Sequence, residues 1–189
     1  MTAISCDHQL SHATEIIRNG GVIAYPTEGV WGLGCDPNNE TAVYKLLDLK
    51  CRSVQKGLIL IGSTADQFAP FIAGLDQSDA SSFRMERQRP TTWLVPDNGE
   101  APRWIVGEHS TIALRITEHP LASKLCEYFG GPIVSTSANP QNYPPAQTRE
   151  TIDTYFSGKL SFVVSGAIGS ARGASEIIDL MTGEVIRSG

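Results

Sequence analysis

The sequence predicts an α/β protein, a mixed parallel and antiparallel sheet with helices on its faces. Three observations carry this prediction. Short apolar runs, each long enough for one strand, alternate with segments whose apolar residues recur at helical spacing. Gly-Gly steps at Gly20-Gly21 and Gly130-Gly131 separate helical from strand-like stretches. The chain ends in Glu176–Leu180 and Glu184–Arg187 around Met181-Thr182-Gly183, the pattern of a closing hairpin. The 189 residues imply one domain spanning 1–189, large enough to bury a core.

Taken in order, Leu10, Ala13, Ile16 and Ile17 mark a first helix that stops at Asn19-Gly20-Gly21. His8 and His12 stand four apart on it, the spacing of a metal pair, but no third ligand is evident and a surface face is expected. Val22–Tyr25 is a buried strand that Pro26 ends, because proline cannot donate to a ladder. Asn39 caps a helix carrying Val43, Leu46, Leu47 and Lys50. Leu58–Ile61 is a strand, Ser63-x-x-Asp66 starts a helix burying Phe68, Phe71 and Ile72, and Ser78 to Glu86 is a further helix. Thr92–Val95 and Ile112–Ile116 are strands. His119-Pro120 opens a helix through Leu125 and Phe129, with His119 placed at its start rather than as a catalytic base. Ile133–Ser135 is a strand, Pro140 to Gln147 a loop, Thr148 the cap of a helix through Ile152 and Phe156, and Phe162–Val164 a strand. Alternation of this kind places helices on the faces of a mixed sheet.

Composition is that of a soluble globular chain, 41% hydrophobic and 19% charged. No apolar run approaches the ~20 residues that span a bilayer, and Met1–His8 lacks a basic region followed by an apolar one, so a cytoplasmic protein with no membrane contact is expected. Cys6, Cys35, Cys51 and Cys126 form no C-x-x-C pair, which argues against a zinc ribbon or thioredoxin-like site and for free thiols; Cys51 is given no role. A net charge of −5 argues against a uniformly basic nucleic-acid binder, while Arg84, Arg87 and Arg89 leave room for a local basic groove.

Three segments carry candidate chemistry. In the first, Tyr25-Pro26-Thr27-Glu28 runs into Gly29, Gly32 and Gly34 around Trp31 and Leu33. A strand that ends in a polar, glycine-rich turn presents a small-molecule site, or is a tight turn with packing glycines. The second is Lys50-Cys51-Arg52-Ser53-Val54-Gln55-Lys56, three cations in seven residues at a helix end. Lysine and arginine serve phosphates, and they equally complement a helix macrodipole. The third is Ile133-Val134-Ser135-Thr136-Ser137-Ala138-Asn139, a strand leading into three hydroxyls and an amide.

In this order, Y-P-T-E-x-V-x-G-L-G, K-x-R and S-T-S-A-N resemble the YrdC-like threonylcarbamoyl-AMP synthases, with further matches at Ala113–Thr117 and Ser175–Asp179. The resemblance covers the chain from about the first helix to its last residues. It implies a YrdC-like open twisted mixed sheet flanked by helices, with a concave basic groove. It also implies a reaction in which L-threonine captures bicarbonate or carbon dioxide as a carbamate. The carbamate then attacks the α-phosphate of ATP and pyrophosphate leaves. The product would pass to the complex that modifies adenosine beside the tRNA anticodon. The resemblance implies that Lys50 and Arg52 are catalytic and hold the ATP phosphates, and that Ser137, Asn139 and Ser175 contact nucleotide. It places Thr27, Thr92, Arg115 and Ser135 at threonine or its carbamate, and Tyr25 on the pocket wall or in the core. Mg²⁺ is expected with ATP, with no assignable ligand. Two departures stand out: Arg89 occupies a glycine position of the family's central Trp-Pro-Gly-Pro run, and Pro140-Gln141-Asn142 replaces a Ser-x-x-Gly-like continuation. Two alternatives accompany the synthase: a carbamoyl-adenylate enzyme of the hydrogenase-maturation type, and an RNA-binding module. RNA or tRNA contact by the synthase itself is expected to be weak.

Overall fold

The computed structural model describes residues 6–171 and 173–189. The N-terminal stretch read above for a leader falls outside them as far as Ser5, as does the Cys6 side chain. Along the chain run α1 (Cys6–Arg18), β1 (Ile23–Pro26), β2 (Trp31–Gly34), α2 (Glu40–Lys50), β3 (Ile59–Gly62), α3 (Ala69–Ile72) and α4 (Gln77–Arg84). They are followed by β4 (Thr91–Pro96), α5 (Arg103–Val106), β5 (Thr111–Ile116), α6 (Pro120–Phe129), β6 (Ile133–Ser137), α7 (Arg149–Phe156), β7 (Phe162–Val163), β8 (Glu176–Asp179) and β9 (Val185–Arg187). The nine strands among the described residues form one sheet in the order β7-β1-β2-β6-β3-β5-β4-β8-β9. β7–β1, β3–β5 and β4–β8 pair in parallel and the other neighbours antiparallel, so the sheet is mixed as predicted.

Strand periodicity sorts the core onto the two faces of this sheet. Ile23, Tyr25, Ile61 and Ile133 point to one side and pack with Leu10, Ala13 and Ile17 of α1 and Leu125 of α6. Ala24, Leu33, Leu60 and Val134, their immediate neighbours, point to the other and pack with Leu46 of α2 and Ile152 of α7. The predicted caps are in place. The Asn39 side chain accepts from Ala42 N, Thr148 Oγ1 from Thr151 N and His119 Nδ1 from Ala122 N. Gly130 ends α6 in the left-handed region, with φ 86°.

One expectation is corrected. The glycine run after Glu28 is not a turn but the second strand of a hairpin, with Pro26 paired to Trp31 and Ile23 to Gly34. Trp31 and Leu33 share the face toward α2. Gly32 and Gly34 face the Tyr25 ring, where a Cβ on Gly34 would lie 2.8 Å from Tyr25 Cε1. A bulky tyrosine beside a strand face that carries only glycines fills the space that face leaves. Tyr25 is accordingly a core residue: its ring is fully buried, its hydroxyl donates to Val134 O at 3.4 Å, and burial pushes its phenol pKa up.

Candidate active site

The β1–β2 turn is closed by Thr27, whose backbone N and hydroxyl both donate to Val30 O, at 3.0 and 2.7 Å. The segment after β7 lies against this turn: Gly169 N donates to Thr27 O and Ala171 N to Glu28 O. A Cβ on Gly29 would collide with Gly173 O and stand 2.8 Å from Ala171 O, so this close approach requires glycine. Beside the turn opens a cleft of about 130 Å³, lined by Thr27, Glu28, Gly32, Arg52, Arg115, Ser135, Ser137, Ser175 and Arg187. A larger cleft of about 620 Å³ adjoins it, sharing Glu28, Pro90 and Ala174.

The small cleft is strongly cationic. Arg52 Nη2 donates to Lys56 O and Gly57 O at 3.2 and 3.0 Å, which fixes the guanidinium after α2. Arg187 on β9 donates to Ser175 O at 2.6 Å. Burial, and next the charge of Arg187, pull Arg52 below its ordinary pKa; burial and Arg115 do the same to Arg187. Lys50, behind Arg52, is drawn down to about 8 by burial and then by the charge of Arg52. Mutual depression of this kind marks cations close enough to repel. Against three lining arginines stands one lining carboxylate among the described residues, Glu28. Its Oε1 accepts from Thr117 Oγ1 at 2.6 Å and Glu118 N at 3.1 Å, and its Oε2 lies 3.6 Å from Arg115 Nη2. Burial alone would raise the Glu28 pKa, but Arg115 and these hydrogen bonds outweigh it and hold the carboxyl below its usual range. Glu28 Oε2, Arg52 Nε and Arg115 Nε are buried without hydrogen-bond partners, and all three belong to residues of this cleft. Buried polar atoms without hydrogen bonds, gathered at one place, mark a site built for something other than its own packing.

The structure brings together most of the residues singled out from sequence, in two layers. Thr27, Arg52, Arg115, Ser135, Ser137 and Ser175 line the cleft. Lys50 and Asn139 stand behind it. The Lys50 ammonium donates to Ser137 O, to Asn139 O at 2.9 Å and to Asn139 Oδ1 at 3.4 Å. Asn139 Oδ1 also accepts from Ser137 Oγ at 2.7 Å, while its amide donates to Pro140 O and Tyr143 O. Lys50 is therefore no solvated charge at a helix end: it is 5% exposed, with a carbonyl or amide oxygen for each of its three donors. Thr92 is fully buried and contributes no surface to the cleft; its hydroxyl pairs with that of Ser175 at 2.7 Å.

Glu28 and Arg187 belong to the site and were not singled out. Glu28 lies within the Y-P-T-E motif, so its signal was present. Arg187 sits in a terminal hairpin whose sequence carries no sign of the cleft. The departures are accommodated. Arg89 is exposed on the rim of the larger cleft, outside the left-handed region. Asn142 takes φ 68°, a conformation asparagine tolerates better than most residues. The Arg84 and Arg87 charges are partly spoken for: Arg84 pairs with Asp66 at 2.9 Å, and Arg87 lies over the Trp93 ring, 3.9 Å from Glu176. Cys35, Cys51 and Cys126 are free thiols, as expected. His12 meets the Phe162 ring edge-on. No helix among the described residues is long and apolar enough to cross a membrane.

A mixed α/β sheet that gathers guanidiniums and hydroxyls around a small cleft, with a roomier cleft beside it, defines a protein that handles anionic small molecules. Comparison with known proteins is more specific. The Sua5/YciO/YrdC family model, described as telomere recombination, matches residues 15–189. A threonylcarbamoyl-AMP synthase of Cellvibrio japonicus is 50% identical over 183 residues, 97% of each chain. The structure of P. abyssi Sua5 complexed with L-threonine superposes with a TM-score of 0.87 at 27% identity, over 97% of this chain and 54% of that one. This chain thus spans about half of that Sua5 chain. E. coli YciO has the same fold, with a TM-score of 0.83 at 24% identity over 99% of this chain and 91% of that one. The chain belongs to the Sua5/YciO/YrdC family.

Proposed function

We propose that this protein is a threonylcarbamoyl-AMP synthase that converts L-threonine, bicarbonate and ATP into threonylcarbamoyl-AMP and pyrophosphate. One observation carries the reading: Arg52, Arg115 and Arg187 converge with Ser135, Ser137 and Ser175 on one cleft. The relative that shares half its residues with this chain bears the synthase name, which supports the synthase over the carbamoyl-adenylate alternative.

The reaction asks for positioning and charge stabilisation more than for covalent chemistry. Arg52 and Arg187, with Lys50 behind them, draw the triphosphate and stabilise the charge that grows on pyrophosphate as it leaves. Ser137 orients a phosphate oxygen and is itself oriented by Asn139. Arg115 receives the threonine carboxylate, with Thr27 and Ser135 beside it, and Thr92 acts through Ser175. The adenosine takes the larger cleft of about 620 Å³, since the small cleft of about 130 Å³ falls below the ~300–1,000 Å³ usual for a ligand pocket. No group of three or more His, Cys, Asp or Glu side chains able to hold a metal occurs among the described residues, and Glu28 is engaged by Arg115 and Thr117. Mg²⁺ bound to ATP is part of the substrate. The tRNA-modifying complex is the proposed consumer of the product. Any RNA contact of this acidic chain is proposed to be weak and salt-sensitive.

Release of pyrophosphate from ATP tests the reading. It should require both L-threonine and bicarbonate; release at the same rate with neither present would overturn it.

A further inference from the structure

The small cleft is electrostatically uneven. Among the described hydrogen bonds Arg52 and Arg187 donate only to backbone carbonyls, with the Lys50 charge beside Arg52. Arg115 is held by a carboxylate, Glu28, at 3.6 Å. All three guanidiniums line the cleft, and all would attract a phosphate if charge alone decided. A guanidinium beside a buried carboxylate presents a far smaller net charge than one beside neutral carbonyls. It still offers a planar fork, which suits a single carboxylate, and its Nε has no partner within the protein.

We propose that Glu28 is the specificity-determining residue that divides this cleft. By neutralising Arg115 it reserves that guanidinium for a single carboxylate, that of the amino acid, and leaves polyphosphate to Arg52 and Arg187. The placement of Glu28 suits this role. Thr117 Oγ1 and Glu118 N fix its Oε1 from the end of β5, the strand that carries Arg115, so carboxylate and guanidinium are set from one strand end. A carboxylate beside Arg115 also repels any phosphate that drifts across, which is discrimination by an unfavourable contact with the wrong ligand.

The inference rests on the synthase reading, and the test separates the two. L-Threonine and inorganic pyrophosphate are titrated calorimetrically into the intact wild-type protein, each alone and in the presence of the other. In the wild type each should bind at its own guanidiniums, with threonine affinity changed less than about two-fold by saturating pyrophosphate. In Glu28→Gln, where Arg115 is no longer neutralised, pyrophosphate should now compete with threonine and raise its apparent Kd about ten-fold at saturation. Competition already present in the wild type would overturn the proposal, and so would a folded Glu28→Gln protein with unchanged binding of both ligands. Equal weakening of both would also overturn it, by showing a merely structural carboxylate. The wild-type arm decides the matter even if the variant fails to fold. A wild type that binds pyrophosphate but no threonine would overturn the synthase reading itself, and this inference with it.

Discussion

Replacing Lys50 by methionine removes a buried ammonium and leaves an apolar side chain of similar length. Three acceptors lose their donor, but two keep another: Ser137 O still accepts from Asn139 N, and Asn139 Oδ1 from Ser137 Oγ. Asn139 O has no other protein donor among the described hydrogen bonds and is left unpaired. One stranded carbonyl costs about 1–3 kcal/mol. In a chain of this size each kcal/mol moves the midpoint by roughly 2–4 °C, so thermal unfolding should fall by up to roughly 12 °C at neutral pH, relief of the buried charge offsetting part of the loss. Turnover should fall much further, because the strand end that presents Ser137 loses its anchor. The pH dependence has a definite sign. The folded-state pKa of Lys50 lies near 8, below the ordinary value of 10.5. Between those values the unfolded chain keeps a proton that the folded chain has lost, so wild-type stability rises with pH across the window relative to Lys50→Met. Scanning calorimetry of both proteins from pH 7 to 10 checks this. An unchanged midpoint with near-normal turnover would refute the reasoning and restore a solvated lysine that merely complements its helix. A stability gap that narrows with rising pH would refute the depressed pKa.

Arg89→Gly should change stability by less than about 1 kcal/mol, since the loop carries no positive-φ strain for glycine to relieve and glycine adds backbone entropy to the unfolded chain. Threonine-dependent turnover should stay within several-fold of wild type, as steady-state kinetics would report; a large gain would mean that the arginine damages the site. Gly29→Ala should cost about 1–3 kcal/mol, because its Cβ runs into the carbonyls of Ala171 and Gly173. The displaced segment leads to Ser175, so the Michaelis constant for substrate should rise together with the loss of thermal stability; no change in either would show that the two loops can part freely.

Much of the fold was legible because local chemistry and tertiary structure agree. Asn39, His119 and Thr148 announce helix starts, and each cap is made by the side chain that announces it. β2 was hidden because glycine is a poor strand former, and what makes Gly32 and Gly34 suitable is a tyrosine on the neighbouring strand. The faint signal was Trp31 and Leu33 at a spacing of two. At the site, residue types and order were readable, but depth was not. A lysine that ends a helix looks the same in sequence whether it meets solvent or the carbonyls of a strand 87 residues away. Thr92 could not be told from a ligand contact, since a hydroxyl behind Ser175 and one beside it carry the same letter. Arg187 was out of reach because only the parallel pairing of β4 with β8 brings the terminal hairpin to the cleft.

The two adjoining clefts are proposed to join threonine, a one-carbon unit and an adenylate. Mass spectrometry of the adenylate formed from ATP, L-threonine and ¹³C-bicarbonate tests it most directly. The labelled carbon should appear in a single product that contains both threonine and AMP, and the label should be lost with Arg52→Ala. An adenylate that carries threonine without the label, or the label without threonine, would contradict the account.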